Sequence, residues 1–355
     1  VEQISPWLVN GRDAQLGRLG AKLTRFDGRL EQQTPGLNPA NGKILLSASR
    51  LETLVKCPYR YFLKYVLHID VPDEYEEDAT SWLNPLDFGS LLHDLLCDFM
   101  QELKDNDEQP ERKHIPAMKA LANEKAEKQK QTTPVTHEAA YRADIERLER
   151  AVEIFLHVEA RQENTQPIGF EVSFGFGQQG ELSTPEPVLL KLAKDIVLKM
   201  RGRIDRVDKV EDGYAIWDYK SGSAHSYGEA SLQRAGSYLQ WALYAYVLDE
   251  ILKGQDRQIR VVQSGYFFTT EREYGRRIAP ILPTCHELGD RLRPLFELVA
   301  EGCFLHIQQE DHCKFCEYAR VCAAEGITPK VWKEIEDEVG SQGNTGERVA
   351  RWLHG

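Results

Sequence analysis

The chain has 355 residues, of which 41% are hydrophobic, and its 44 Lys and Arg against 56 Asp and Glu give a formal net charge of −12. This length and apolar content disfavour a disordered chain, a collagen-like repeat and a disulfide mini-scaffold. Because no apolar stretch reaches the roughly 18 to 20 residues that cross a bilayer and no leader opens the chain, we expect a cytoplasmic protein with no membrane partner. The net acidity argues against a protein that coats nucleic acid indiscriminately.

The first part of the chain predicts an extension followed by helices. Residues 1–44 are polar and lack clear periodicity, so we expect an N-terminal extension, such as the end of a preceding domain. From Ser47, apolar residues recur at spacings of three and four and predict a helix that Pro58 should kink. An acidic linker follows over Asp70–Asp78, and a second helix over Leu86–Met100 carries His93.

The middle of the chain changes from helical to strand periodicity. Two charged helices over Ile115–Gln129 and His137–Glu163 have few apolar residues and predict an outer helical lobe, inserted over about 102–166. Beyond Gly169 the period falls to two. Strands are predicted over Phe170–Phe176, Val188–Leu192, Ile196–Val207, Tyr214–Tyr219, Ile259–Phe268 and Glu273–Ile281, and further helices over Glu229–Ile251 and Glu287–Glu301. This order indicates an α/β fold with a mixed central β-sheet flanked by helices.

A short hairpin contains the most informative acidic residues. If Asp212-Gly213 is a two-residue turn, Asp205 faces Lys220 and Val207 faces Asp218. Facing carboxylates repel each other unless a cation lies between them, and a nearby lysine could orient a water molecule beside that cation. The arrangement favours Mg²⁺-dependent phosphodiester hydrolysis, with a solvated hairpin that carries surface salt bridges as the alternative.

Three residues elsewhere are candidates for the same site. His93 follows a Gly-Ser pair and could supply a third metal ligand, although a lone helical histidine is more often a core residue. Gln240 and Tyr244 lie four apart on one predicted helix face and could reach a phosphate or a base. The alternative for this pair is an ordinary amphipathic helix.

The cysteines predict a second metal centre. Cys313, Cys316 and Cys322 supply three thiolates from one short segment, and Cys57 is the best fourth donor. These ligands fit either zinc or an iron–sulfur cluster, and His312 could complete a Cys₃His zinc site instead. The other three cysteines are expected to be small buried hydrophobic residues: Cys97, Cys285 and Cys303.

Six ordered motifs together resemble the RecB-type branch of the PD-(D/E)XK nuclease superfamily, and within it the AddB-like iron–sulfur nucleases. They are Cys57-Pro-Tyr-Arg-Tyr-Phe, Gly89-Ser-Leu-Leu-His93, Gly202-Arg-Ile-Asp205, Asp218-Tyr-Lys220, Gln240-x-x-x-Tyr244 and the closing cysteines. The resemblance spans about Leu45 to Cys322 and implies a nuclease domain over 45–325, followed by a tail over 326–355. It implies a restriction-endonuclease-like core.

The resemblance also assigns roles to residues. His93, Asp205 and Asp218, with the Tyr219 carbonyl, would hold Mg²⁺ or Mn²⁺, and Lys220 would position the attacking water. Gln240 and Tyr244 would line a DNA groove. Cys57, Cys313, Cys316 and Cys322 would bind a 4Fe-4S cluster that ties the two ends of the domain together. Glu171 is a weaker candidate for the metal site, and a surface or structural role is favoured for it.

Basic residues around the hairpin predict contact with DNA. Residues 199–220 contain six basic and five acidic side chains, and a bound metal would neutralise two of the acids. The expected phosphate contacts are Arg201, Arg203, Arg206 and Lys209, with Arg60 and Arg234 as further candidates. No Gly-x-x-x-x-Gly-Lys-[Ser/Thr] string occurs, so a helicase motor would have to come from elsewhere.

The sequence therefore predicts a metal-dependent DNA exonuclease that acts on single-stranded ends. Its expected setting is double-strand-break processing, as the nuclease module of a helicase–nuclease. Two alternatives remain open. One is a stand-alone iron–sulfur exonuclease of the CRISPR-adaptation type, and the other is a DNA-end-binding module without catalysis.

Overall fold

A computed structural model of the protein describes residues 5–19, 24–71, 80–227, 239–255, 260–305, 313–314 and 316–322. The helices are α1 Pro6–Leu19, α2 Ala48–Lys56, α3 Pro58–Tyr61, α4 Pro85–Asp105, α5 Ile115–Gln129, α6 Glu138–Glu159, α7 Gln240–Gly254, α8 Cys285–Ala300 and α9 Ala319–Cys322. The strands are β1 Asn41–Leu46, β2 Gln166–Phe174, β3 Val188–Ala193, β4 Ile196–Met200, β5 Gly202–Val210, β6 Gly213–Lys220, β7 Val261–Phe268 and β8 Arg277–Ile278. Four predicted features lie wholly or mostly outside the described residues: the acidic linker, Arg234, His312 and the tail.

The strands form two mixed sheets flanked by helices, which confirms the predicted fold class and corrects the single central sheet. One sheet has the order β2-β5-β6-β7-β8, and the other has the order β1-β4-β3. The predicted strand Ile196–Val207 divides at Arg201, whose amide donates to the Leu46 carbonyl 2.8 Å away and closes the smaller sheet. Gly202 then begins β5 in tight contact with Phe174, since a Cβ there would lie 2.7 Å from the Phe174 ring.

The charged helices have a more interior role than the sequence suggested. The few apolar side chains of α5 and α6 are concentrated on one side, where Met118, Ala122 and Phe155 are buried. They join α4 in an apolar cluster that includes Trp217 and Phe267 from the larger sheet. The helical lobe therefore covers one face of the sheet, and the segments that carry catalytic candidates pack directly against it.

Two local features differ from the expected boundaries. The helix from Ser47 ends before Cys57, whose extended backbone (φ −161°, ψ 104°) separates α2 from α3, as Pro58 predicted. The predicted end of the extension at residue 44 falls inside β1. Residues before β1 also pair with the domain, because the Phe304 amide donates to the Gly28 carbonyl at 2.8 Å.

In the part of the chain that the structure describes, no helix combines the length and apolar character that a membrane span requires.

Candidate active site

The hairpin of β5 and β6 turns one residue earlier than predicted. Val210 pairs with Gly213 and Val207 pairs with Ile216, so the prediction that Val207 faces Asp218 and Asp205 faces Lys220 is wrong. Gly213 is required by close packing, since a Cβ there would lie 2.3 Å from the Arg260 carbonyl oxygen. The register shifts by two residues, which leaves the alternating faces of β6 unchanged.

The two strands separate beyond the pair of Arg206 and Trp217, and the candidate metal ligands meet in the resulting fork. The Tyr219 amide donates to Asp205 Oδ2 at 2.9 Å. The Tyr219 carbonyl accepts a hydrogen bond from Nε2 of His93 at 2.8 Å, and His93 Nδ1 lies 3.3 Å from Asp205 Oδ2. Side chains thus satisfy the backbone groups of Tyr219 that a continued β5 would otherwise pair.

Glu171 belongs to this group, although the sequence favoured a surface or structural role for it. One ligand atom from each of His93, Glu171 and Asp205 lies within 4.8 Å of the other two. Glu171 lies between the paired residues Phe170 and Val172 of β2, at the position that faces Asp205 on β5. Its backbone adopts a left-handed conformation (φ 50°) that is uncommon for a side chain of this type. This alignment with Asp205 is the signal that sequence reasoning missed.

Asp218, Lys220 and Gln240 form the adjoining part of the site. The Asp218 side chain is only 5% exposed and forms an ion pair with Lys220. The Gln240 side-chain amide donates to the other carboxylate oxygen of Asp218. The predicted catalytic aspartate, lysine and glutamine are therefore in direct contact.

Glu52 positions Gln240 and carries no sequence motif that could have identified it. Its carboxylate accepts hydrogen bonds from the amides of Leu239 at 2.8 Å and Gln240 at 3.0 Å, where α7 begins. Burial raises the pKa of Glu52, although Lys56 and the two amides act in the opposite direction. Glu52 thus anchors the end of α7 that faces Asp218.

The site is short of positive charge. Burial, and then the nearby Asp218 carboxylate, raise the pKa of Asp205 well above its usual range. Burial acts to lower the pKa of Lys220, but Asp218 and Tyr227 outweigh it, so this pKa is raised and Lys220 is cationic at neutral pH. A divalent cation at Asp205 would stabilise the ionised carboxylate that burial disfavours.

Tyr244 lies behind the site and is largely buried. It follows Gln240 by one turn of α7 and packs edge-on against Phe174, with ring centroids 5.7 Å apart. A Cβ on Gly202 would lie 3.0 Å from the Tyr244 hydroxyl, so the glycine leaves space for this side chain. Burial, and then the charges of Asp218 and Asp205, raise the Tyr244 pKa.

The arginines predicted to contact DNA separate into exposed and buried residues. Arg206 is 0% exposed, and its guanidinium pairs with Glu159 at 2.7 Å and Asp208 at 2.6 Å. The structure therefore corrects the expectation that Arg206 contacts phosphates, because alternation turns it toward the helical lobe. Arg201, Arg203 and Lys209 are exposed, and Arg60 pairs with Glu317 at 2.6 Å.

The structure brings the two cysteine-bearing segments together. Cys57, Cys316 and Cys322 pack against a small apolar cluster of Tyr59, Leu63 and Tyr318. The Cys316 amide donates to the Cys313 carbonyl at 3.2 Å, which places the fourth predicted ligand in the adjacent turn. Of the remaining cysteines, Cys303 is buried, while Cys97 and Cys285 are half-buried.

The comparison with protein families identifies the fold of this site. The family model described as the PD-(D/E)XK nuclease superfamily matches residues 45–323. The chain belongs to the PD-(D/E)XK nuclease superfamily. Nucleases of this superfamily use divalent metals. The imidazole and carboxylates at the fork suit such an ion, and His93, Glu171, Asp205 and Asp218 would hold it.

Several relatives within the superfamily are named as one of the subunits of an ATP-dependent helicase/deoxyribonuclease, the same subunit in each organism. The one from Clostridium novyi is 31% identical over 229 residues, which cover 61% of this chain and 19% of the relative. The one from Desulfitobacterium hafniense is 32% identical over 262 residues, which cover 71% of this chain and 20% of the relative. This chain therefore spans about a fifth of the length of these curated relatives.

Proposed function

We propose that the protein is a metal-dependent DNA nuclease that degrades single-stranded ends exonucleolytically, with Mg²⁺ or Mn²⁺ as its metal. One observation carries the proposal: ligand atoms of His93, Glu171 and Asp205 converge within 4.8 Å at the fork. The ion pair between Lys220 and Asp218 lies on the neighbouring strand. Superfamily membership supports phosphodiester hydrolysis as the reaction.

The residues divide the work of hydrolysis between them. A bound divalent metal would supply Lewis-acid stabilisation of the charge that develops on the phosphate. The Lys220 ammonium is a hydrogen-bond donor that would orient the attacking water. Gln240 holds Asp218 in place, and Glu52 holds Gln240 through the start of α7.

We infer that the chain acts as the nuclease module of a helicase–nuclease in double-strand-break processing. The name that the relatives share, which joins a helicase to a deoxyribonuclease, supports this setting. Because the chain has no phosphate-binding Gly-x-x-x-x-Gly-Lys-[Ser/Thr] string, a separate domain or polypeptide would supply the motor. A 4Fe-4S cluster on Cys57, Cys313, Cys316 and Cys322 completes the proposal.

The test is cleavage of end-labelled single-stranded DNA with Mg²⁺ or Mn²⁺, by the wild-type chain and by Asp218→Asn. The substitution keeps the shape of the side chain but removes its charge, so we expect cleavage to fall at least about 100-fold while the circular dichroism spectrum is unchanged. Glu124→Ala, on an exposed turn of α5, is the control and should cleave normally.

The substrates separate the alternatives. An exonuclease degrades the linear strand and leaves a circular single strand intact, whereas an endonuclease cuts both. A wild-type chain that binds DNA ends but cleaves neither substrate with either metal would be an end-binding module. Full activity of Asp218→Asn would contradict the proposed site.

A further inference from the structure

An exposed phenylalanine lies in a tight turn next to the candidate metal site. Phe176 follows β2 and is 49% exposed. It is flanked by Gly175 and Gly177, whose backbones have left-handed φ angles of 78° and 75°. A large aromatic ring kept in water at a sharp turn gains little from the core, so its position calls for a contact outside the described fold.

The turn is fixed in position by its backbone. The Gly175 amide donates to the Thr184 carbonyl and the Gly177 amide to the Pro185 carbonyl, both at 3.1 Å. A Cβ on Gly175 would lie 2.8 Å from the Arg201 Cβ, so the turn packs closely against the junction of β4 and β5. The ring is therefore presented from a supported loop, which lowers the entropy cost of a stacking contact.

Two arginines accompany the ring. The guanidinium carbons of Arg201 and Arg203 lie 5.7 Å and 5.8 Å from the centroid of Phe176. Arg203 also donates to Glu171 at 3.0 Å. Since Glu171 belongs to the candidate metal group with His93 and Asp205, one ion pair connects this surface to the reacting centre.

We propose that Phe176 stacks on a base of single-stranded nucleic acid while Arg201 and Arg203 contact the flanking phosphates. An aromatic ring beside two cations matches a base beside its anionic backbone, and every base offers a π-face, so this contact needs no particular sequence. The inference rests on the proposed nuclease function and adds a binding site to it. The stacked nucleotide lies on the strand whose phosphodiester reaches the fork.

The test measures binding without cleavage. Fluorescence anisotropy in EDTA would give the Kd of the full chain for a short labelled oligo-dT and for the same oligonucleotide with a central abasic tract. We expect Phe176→Ala to weaken binding to the intact strand about ten-fold, and Phe176→Trp to restore it. Trp7→Ala, which removes another exposed aromatic ring on α1, should leave the Kd unchanged.

Stacking also predicts how the substrates compare. The wild-type chain should bind the abasic strand about ten-fold more weakly than the intact strand, whereas Phe176→Ala should bind both alike. Equal affinities of wild type and Phe176→Ala for the intact strand would overturn the proposal, as would wild-type binding that ignores the bases. A chain that stacks DNA in EDTA but cleaves none with metal would refute only the nuclease function, so the two failures are distinguishable.

Discussion

Charged side chains on the two sides of β5 have opposite environments. Asp205 opens into the fork and contacts His93, in a place that suits a metal ion. The next residue, Arg206, has no exposed surface and is neutralised by Glu159 and Asp208. Neighbouring residues of similar polarity thus serve binding and internal support respectively, because alternation sends them to different faces.

Arg206→Met should destabilise the protein without touching the metal ligands. Removing the guanidinium leaves Asp208 and Glu159 as buried charges without their partner, so we expect the free energy of unfolding at neutral pH to fall by about 3–5 kcal/mol. Burial already raises the Asp208 pKa despite Arg206, and losing Arg206 raises it further. An acid whose pKa is raised on folding favours the folded state at low pH and loses that contribution as pH rises.

The deficit of Arg206→Met should therefore shrink as pH falls from about 8 to about 5, which urea unfolding at several pH values would measure. Lys209→Met is the matched control, since it removes an exposed cation from the same strand. Its unfolding free energy should stay within about 0.5 kcal/mol of wild type at every pH. A pH-independent deficit in Arg206→Met would show that the buried carboxylates are not its cause.

Helices and strands show where the sequence was a good guide. Periodicity alone predicted α5 over Ile115–Gln129 with the bounds that the structure has. It also predicted that Asp218 and Lys220 share one face of β6. The register of the hairpin was not predictable, because it depends on how Gly213 packs against Arg260, a contact between segments far apart in sequence.

Helix α2 couples the start of α7 to the catalytic aspartate through Glu52. Glu52→Ala should free the amides of Leu239 and Gln240, loosen the first turn of α7, and lower kcat about ten-fold with little change in KM. Glu52→Gln keeps an acceptor oxygen, and the raised pKa of Glu52 indicates that burial disfavours its charge. We therefore expect Glu52→Gln to restore most of the activity.

Steady-state cleavage assays and thermal unfolding of both variants would test this role. A purely structural contribution would lower the unfolding temperature and the active fraction together, leaving kcat per folded molecule unchanged. Equal loss of kcat in the Ala and Gln variants would argue against a hydrogen-bond role for Glu52.

The fold as a whole was only partly accessible from sequence. Motif order and spacing were sufficient for the family and the α/β class. Two sheets in place of one, and the burial of Arg206, were not accessible, because both depend on which surfaces the helical lobe and β1 cover. Glu171 was undervalued for the same reason, since only the pairing of β2 with β5 aligns it with Asp205.

The cysteine-bearing segments hold distant parts of the chain together. Glu317 pairs with Arg60, and the Tyr318 hydroxyl donates to the Ile69 carbonyl at 2.6 Å. If a cluster adds to these contacts, Cys316→Ala should lose the absorption band near about 400 nm and lower the unfolding temperature by roughly 5 °C or more. Anaerobic purification followed by absorption spectroscopy and calorimetry would measure both effects.

Cys285→Ala is the matched control, since this half-buried cysteine lies outside the predicted ligand set. It should keep the colour of the wild-type protein. A colourless wild-type protein with stoichiometric zinc would replace the cluster by a zinc site.

The fork between β5 and β6 makes metal binding and sheet completion interdependent. Asp205 and His93 do more than offer ligand atoms, because they also pair with the amide and carbonyl of Tyr219. A descendant that lost catalysis through substitution of these residues would also expose two backbone groups at the end of β6. Selection for folding alone would therefore tend to preserve this aspartate and histidine even in a lineage that no longer cut DNA.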